Sequence, residues 1–218
     1  MGWKSILYQD ARPQMKAGDV IAFSGKGNFS EIIKWATRGP VSHVGVILQS
    51  KLVIDGDAQS GVFNQVIEST SLNGFSGVSI SRLSDRIDTY DGDIWWLPLR
   101  QTLWEIMDKP GYYDFLIHQE HKAYDMPQAI RSALDLLDKV SVVGNATHNL
   151  EDFSRFFCSE LVAAALEAAG VIATINASEV TPIDLCSFSI YADDYFQLKG
   201  PRREIRGFNS VRPEGWGN

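Results

Sequence analysis

Apolar residues along this chain recur at intervals of two in its first half and of three or four in its second, so the pattern predicts a sheet followed by helices. After the Gly18-Asp19 turn, Val20-Ile21-Ala22-Phe23 is an apolar run of strand type, closed by Ser24-Gly25-Lys26-Gly27. A helix is expected next. Asn28 caps it with Glu31 three positions on, Phe29, Ile32, Ile33 and Trp35-Ala36 form its stripe, and Arg38-Gly39-Pro40 stops it. Residues 41–48 alternate as a strand, with His43, Gly45 and Ile47 on one face and Val44, Val46 and Leu48 on the other. Further strands are expected at residues 51–54, 63–70, 78–83 and 93–99. The short turns between them predict an antiparallel sheet.

From about Thr102 the period becomes helical. Pro127 suits a first helical turn, with Ile130, Ala133, Leu134 and Leu137 at helical spacing. A clearer helix carries Cys158, Leu161, Val162, Ala165, Leu166 and Ala169 as one stripe, ended by Gly170. The fold class is therefore α+β. Beyond residue 187 the pattern weakens. Tyr195, Phe196 and Leu198 predict a short strand, and the rest reads as a docked tail whose last residues are mobile.

No repeat or linker divides the 218 residues, and a prior of roughly 150 residues per domain allows one domain with an elaboration. We assign residues 1–218 to a single unit, with its core at about 18–185 and an extension at 187–218. A composition of 44% hydrophobic and 22% charged residues excludes disordered, collagen-like and coiled-coil classes. The net charge of −7 argues against a nucleic-acid partner, because such binding rests on clustered cations that neutralise phosphates. Arg202, Arg203 and Arg206 form a basic cluster that reads as a solvated segment.

Two cysteines, Cys158 and Cys186, are too few for a disulfide framework, which favours a reducing compartment. The N-terminal residues lack a secretory apolar run, and no stretch approaches the ~18 apolar residues of a membrane span. These features predict a cytoplasmic protein with no integral membrane segment. His118 and His121 are three apart without a third ligand in reach, and His148 stands alone, so no metal site is expected. Gly25-Lys26-Gly27 lacks the full phosphate-loop pattern, which rejects a nucleotide. No cofactor is expected.

Three residues remain as candidates for chemistry. Cys158 opens its helix, where the terminal amides and the helix dipole lower a thiol pKa and can hold an oxyanion. The same position also suits a small buried hydrophobe. His43 lies in an apolar strand, where its ring nitrogens need partners; it reads equally as a rigid base or as a satisfied core histidine. Glu68 interrupts the apolar run Val66-Ile67-Glu68-Ser69-Thr70, either as the group that orients the imidazole or as an exposed strand residue.

Taken in order, GDVIAFSGKGNFSEIIKWATRGPVSHVGVIL, VIEST, FFCSELVAAAL and VTPIDL resemble the permuted papain-like cysteine hydrolases. These are the circularly permuted branch of the NlpC-type cell-wall peptidases, often called YiiX-like, and relatives of the lecithin:retinol acyltransferase fold. The resemblance covers about residues 18–185, and the histidine precedes the cysteine as in the permuted branch. It implies a papain-like, partly barrel-like antiparallel sheet packed against helices. It also implies Cys158 as nucleophile, His43 as general base and Glu68 as the third member of the triad. Tyr124, from the Tyr124-Asp125 pair, and Ser42 and Ser159, beside the histidine and the cysteine, are the implied substrate-binding residues. The implied activity is that of an amidase or peptidase acting on cell-wall-type peptides through an acyl-enzyme. Lipid or thioester acyl chemistry on the same triad, and a binding module that has lost turnover, stand as alternatives. The partner in each enzyme case is a small peptide or acyl substrate, and the sequence does not reveal the oligomeric state.

Overall fold

The apolar runs of the first half become strands that bury both faces. The computed structural model describes residues 2–26, 30, 31, 34, 35, 37–53, 61–72, 75–122 and 158–216. Its strands are β1 (Gly2–Ser5), β2 (Val20–Gly25), β3 (His43–Val53), β4 (Gly61–Leu72), β5 (Phe75–Arg82), β6 (Gly92–Leu97) and β7 (Asp194–Lys199). They form one seven-stranded sheet in the order β1-β7-β6-β2-β3-β4-β5. The helices are α1 (Tyr8–Ala11), α2 (Leu83–Thr89), α3 (Gln101–Ile106), α4 (Lys109–Gln119), α5 (Cys158–Ala168) and α6 (Pro182–Ser187). The protein is thus a mixed α+β structure.

Period-two alternation sorts the core into two clusters, one on each side of the sheet. Val44, Val46, Leu48, Ile67, Trp95 and Leu97 pack against α4 and α5 through Tyr112, Leu116, Leu161, Val162 and Leu166. On the other side Ile21, Phe23, Ile47, Val66, Ile94 and Trp96 pack with Ala11 of α1, Met15 and Leu83 of α2. With helices on both faces, β2 and β6 are buried at every residue, which explains the apolar runs Val20-Ile21-Ala22-Phe23 and Ile94-Trp95-Trp96-Leu97 within them. Helix α5 ends where expected: Gly170 takes φ of +67° and Val171 N–H donates to Leu166 O at 2.9 Å. A capping box of Thr181 and Asp184 starts α6.

Several elements differ from the sequence expectation. Of the strand expected at 51–54, residues 51–53 continue β3, which runs past an irregularity between Ile47 and Gln49, and Ile54 lies outside the described residues. Residues 83–89, partly assigned to a strand, form α2 instead. β1 was not anticipated, and it pairs in parallel with β7, so the sheet is not wholly antiparallel. Gly2-Trp3-Lys4-Ser5 has no apolar alternation. The strand is held by Trp3 Nε1–H donating to Gln197 Oε1 at 2.8 Å and by Lys4 on Asp194 at 2.5 Å, partners almost a whole chain length away.

The C-terminal segment is also more than a docked tail. β7 lies between β1 and β6, and Tyr191, Tyr195 and Ile205 belong to the core. The chain stays anchored as far as Trp216, whose ring meets Phe188 at 5.4 Å and whose carbonyl accepts from Asn176 N–H at 3.0 Å. Mobility of the last several residues is therefore corrected as far as Trp216. Of the helix expected after Asn28, residues 30, 31, 34 and 35 are helical, while Asn28 itself lies outside the described residues. The Pro127 helix, Tyr124 and His148 lie outside them too.

Candidate active site

Two strands and one helix bring the candidate residues together. His43 is the first residue of β3, and Glu68 lies on β4 beside Gly45. A Cβ at position 45 would sit 2.9 Å from Val66 Cγ2 and 3.1 Å from Glu68 Cβ. Only glycine leaves that space, and the Glu68 side chain uses it to reach the ring two residues back. His43 Nε2 is 2.6 Å from Glu68 Oε2, with the carboxylate fully buried.

Cys158 arrives from the opposite side of the sheet. It belongs to the cluster of Val44 and Val46, whereas the His43 ring packs at 5.3 Å on Phe23 of the other cluster. Because His43 opens its strand, its ring can meet the start of α5 at the strand's end. The thiol and the imidazole are hydrogen-bonded, and the N–H groups of Val44 and Ser159 donate to the sulfur. With Nε2 on Glu68, Nδ1 is the ring nitrogen left for the thiol.

The electrostatics follow from this chain of contacts. Burial alone would lower the His43 pKa, but the Cys158 thiolate and the Glu68 carboxylate outweigh it and hold the imidazolium up to about 9. Burial would raise the Cys158 pKa, yet the charge and hydrogen bond of His43, with the two N–H donors, bring it below the ordinary thiol value. Glu68 is pulled the same way: burial is overcome by His43 and by the Arg86 guanidinium, leaving its carboxyl below the usual range. Cys186 is the contrast. Burial, with the nearby Asp184 carboxylate, pushes its thiol far up.

Two residues of the site escaped the sequence reading. Arg86 on α2 donates from Nε to Glu68 Oε1 at 2.5 Å and from Nη2 to Oε2 at 3.1 Å. Its signal was present: Leu83 and Arg86 are three apart on a helix, so the arginine shares the buried face of that leucine. Tyr90, just after α2, hydrogen-bonds Ser42, and burial pushes its phenol up to about 12, so it stays protonated.

Two of the expected substrate-binding residues, Ser42 and Ser159, are buried beside the histidine and the cysteine. Ser42 is buried, where its hydroxyl accepts from Gly25 N–H at 3.1 Å and contacts Tyr90. Ser159 is buried, and its hydroxyl donates to Val180 O at 2.5 Å. These hydroxyls brace the walls of the site, and what Ser159 turns toward the sulfur is its backbone N–H. Tyr124 lies outside the described residues. His118 is exposed with Nδ1 on Asp114 O at 2.6 Å, and among the described residues no group of three His, Cys, Asp or Glu side chains is placed to hold a metal. No helix among them is long and apolar enough to cross a membrane. Arg202, Arg203 and Arg206 are exposed, as a solvated cluster should be, and Arg203 also reaches Asp93 at 3.0 Å and Ser24 at 3.3 Å.

Fold and site together define a mixed α+β protein in which a buried cysteine, a half-buried histidine, and a buried glutamate and arginine follow one another in hydrogen-bonded sequence. No family model matches the chain, and no curated protein matches it. Among solved structures it is similar to the crystal structure of the metalloprotein yiiX from Escherichia coli O157:H7. The identity is 18%, the match covers 72% of this chain and 67% of that one, and the TM-score is 0.42.

Proposed function

We propose that this protein is a cysteine hydrolase of papain-like, permuted NlpC-type design, in which Cys158, His43 and Glu68 cleave an acyl bond through a thioester intermediate. The observation that carries the reading is the arrangement of His43, with one ring nitrogen 2.6 Å from a buried carboxylate and the other left for a thiol at a helix start. A structural cysteine does not need an imidazole and a buried carboxylate aligned behind it.

In the proposed reaction His43 Nδ1 takes the Cys158 proton and the thiolate attacks the substrate carbonyl carbon. The carbonyl π electrons move to oxygen, and N–H groups at the start of α5 hold that oxyanion. Collapse breaks the acyl bond, and the leaving amine takes the proton from the imidazolium. Water then attacks the thioester, His43 takes its proton, and the carboxylic acid product leaves with the cysteine regenerated. Glu68 keeps the ring in place and accepts from Nε2–H throughout.

The resemblance of SHVGV, VIEST and FFCSELV favours an amide of a cell-wall-type peptide as substrate. The test is a panel of peptide amides, acyl esters and acyl thioesters offered to the protein and to Cys158→Ala. Turnover of one class by the parent and a loss of at least 10³-fold in a variant with unchanged circular dichroism is expected. A Cys158→Ala variant as active as the parent would sink the proposal.

A further inference from the structure

Arg86 is 7% exposed, and both oxygens of Glu68 are taken up by its guanidinium fork. The same guanidinium lies 5.3 Å from the ring centres of Phe23 and of Tyr90, and Phe23 in turn packs on the His43 ring. One aromatic side chain therefore orients both ends of the Glu68 contact. A planar fork with two donors matches a carboxylate in a way that no other cation does.

Resting on the cysteine hydrolase reading, we infer that Arg86 is a positioning residue of this site: it clamps Glu68 against His43 and supplies the last charge of a buried alternating chain on which the Cys158 thiolate depends. The chain runs thiolate, imidazolium, carboxylate, guanidinium. With all four ionised its net charge is zero. Without the guanidinium the same ionised chain would carry one uncompensated negative charge in a buried setting, which is costly. Neutrality would then be restored by returning a proton to sulfur. Loosening of Glu68 acts in the same direction, because a carboxylate that loses its clamp stabilises the imidazolium less. The opposing route, repulsion between the guanidinium and the imidazolium, is offset by the Glu68 carboxylate that lies between them. Among the described residues the other titratable groups coupled to this chain are the Tyr90 phenol beside Arg86 and the Cys186 thiol beside Cys158, and both stay protonated.

The test is the pH dependence of Cys158 alkylation by iodoacetamide in the full chain, read by mass spectrometry for the parent, Arg86→Gln and Arg86→Lys. Circular dichroism and a thermal melt at each pH establish that the variants are folded. The parent should label at pH 6, well below the ~8.5 of a free thiol. In Arg86→Gln the midpoint should rise by about one pH unit or more, a tenfold or greater slowing at pH 6. Arg86→Lys keeps the charge but reaches one oxygen at a time, so its midpoint should fall between the two. A purely structural arginine would change the melt and leave the midpoint where it was. An unmoved midpoint in a folded variant, after low-pH labelling in the parent, overturns the role of Arg86 and leaves the hydrolase reading standing. A parent midpoint near that of a free thiol overturns both. If neither variant folds, Arg86 is a requirement of the fold and the inference is likewise overturned.

Discussion

His43 depends on both of its neighbours, so the consequences of changing any member of the site can be given a sign. In His43→Ala the thiolate loses its counter-ion while burial still opposes its charge. The Cys158 alkylation midpoint is expected to rise to at least the ~8.5 of a free thiol, with labelling at pH 6 slowed more than tenfold. Cys186 should stay unlabelled in the native protein at every pH up to 9, since it is fully buried and its pKa is raised. The window for a thiolate beside an imidazolium runs from the lowered Cys158 value up to about 9, and turnover should be confined to it. Glu68 gives a stability prediction. Its folded-state pKa lies below the unfolded one, so its contribution is present above about pH 4.3 and is lost as pH falls through the folded value. At neutral pH Glu68→Gln leaves Arg86 and His43 short of a buried partner, a cost of about 3–5 kcal/mol. Thermal melts should show the gap between parent and variant narrowing as the pH drops below 4.3.

At the scale of elements, two contacts tie neighbouring strands together, and only the first of them bears on the site. Gly45→Ala puts a methyl into the Glu68 and Val66 side chains, and overpacking of this kind costs about 1–3 kcal/mol. The expected result is a lower melting temperature together with a higher Cys158 midpoint, because Glu68 is the side chain that must move. Asp19 locks the start of β2 to the end of β6. Its carboxyl accepts from Trp96 Nε1–H, Leu99 N–H and Lys16 N–H at 2.8 to 2.9 Å, and burial nonetheless raises its pKa to about 7. Asp19→Asn sets an amide N–H against one of those donors and should destabilise by about 1–3 kcal/mol. Since Asp19 is distant in sequence from the triad and lies near the other end of β2, the Cys158 midpoint should be unmoved. β2, β3, β4 and β6 were legible because alternation and apolar runs state their burial directly. α2 was not, since Ser84, Asp85 and Asp88 read as a polar stretch and only packing against β4 makes its inner face a wall of the site.

For the whole molecule, the C-terminal segment closes the sheet. β7 gives β1 its partner and covers the edge of β6. Deleting residues 188–218 removes β7, Tyr191 and Tyr195 together and leaves β6 as an exposed apolar edge. The truncated chain is expected to lose its cooperative thermal transition and to aggregate on size-exclusion chromatography. A truncated chain with a sharp melt would show that the fold is complete without β7.

Local pattern alone determined the α+β class, the strand carrying His43, the helix opening with Cys158 and its stop at Gly170, because period and capping are properties of neighbouring residues. It also nominated Cys158, His43 and Glu68, as residue types that sit uneasily in apolar runs. Tertiary structure decided which of their nitrogens and oxygens meet, since the His43 ring and the Cys158 thiol come from opposite sides of the sheet and touch only where β3 begins. It also decided that β1 exists, that Ser42 and Ser159 turn their hydroxyls inward, and that Arg86 stands behind Glu68. Those contacts join residues 17 to 194 positions apart, and no local period encodes a partner at that distance.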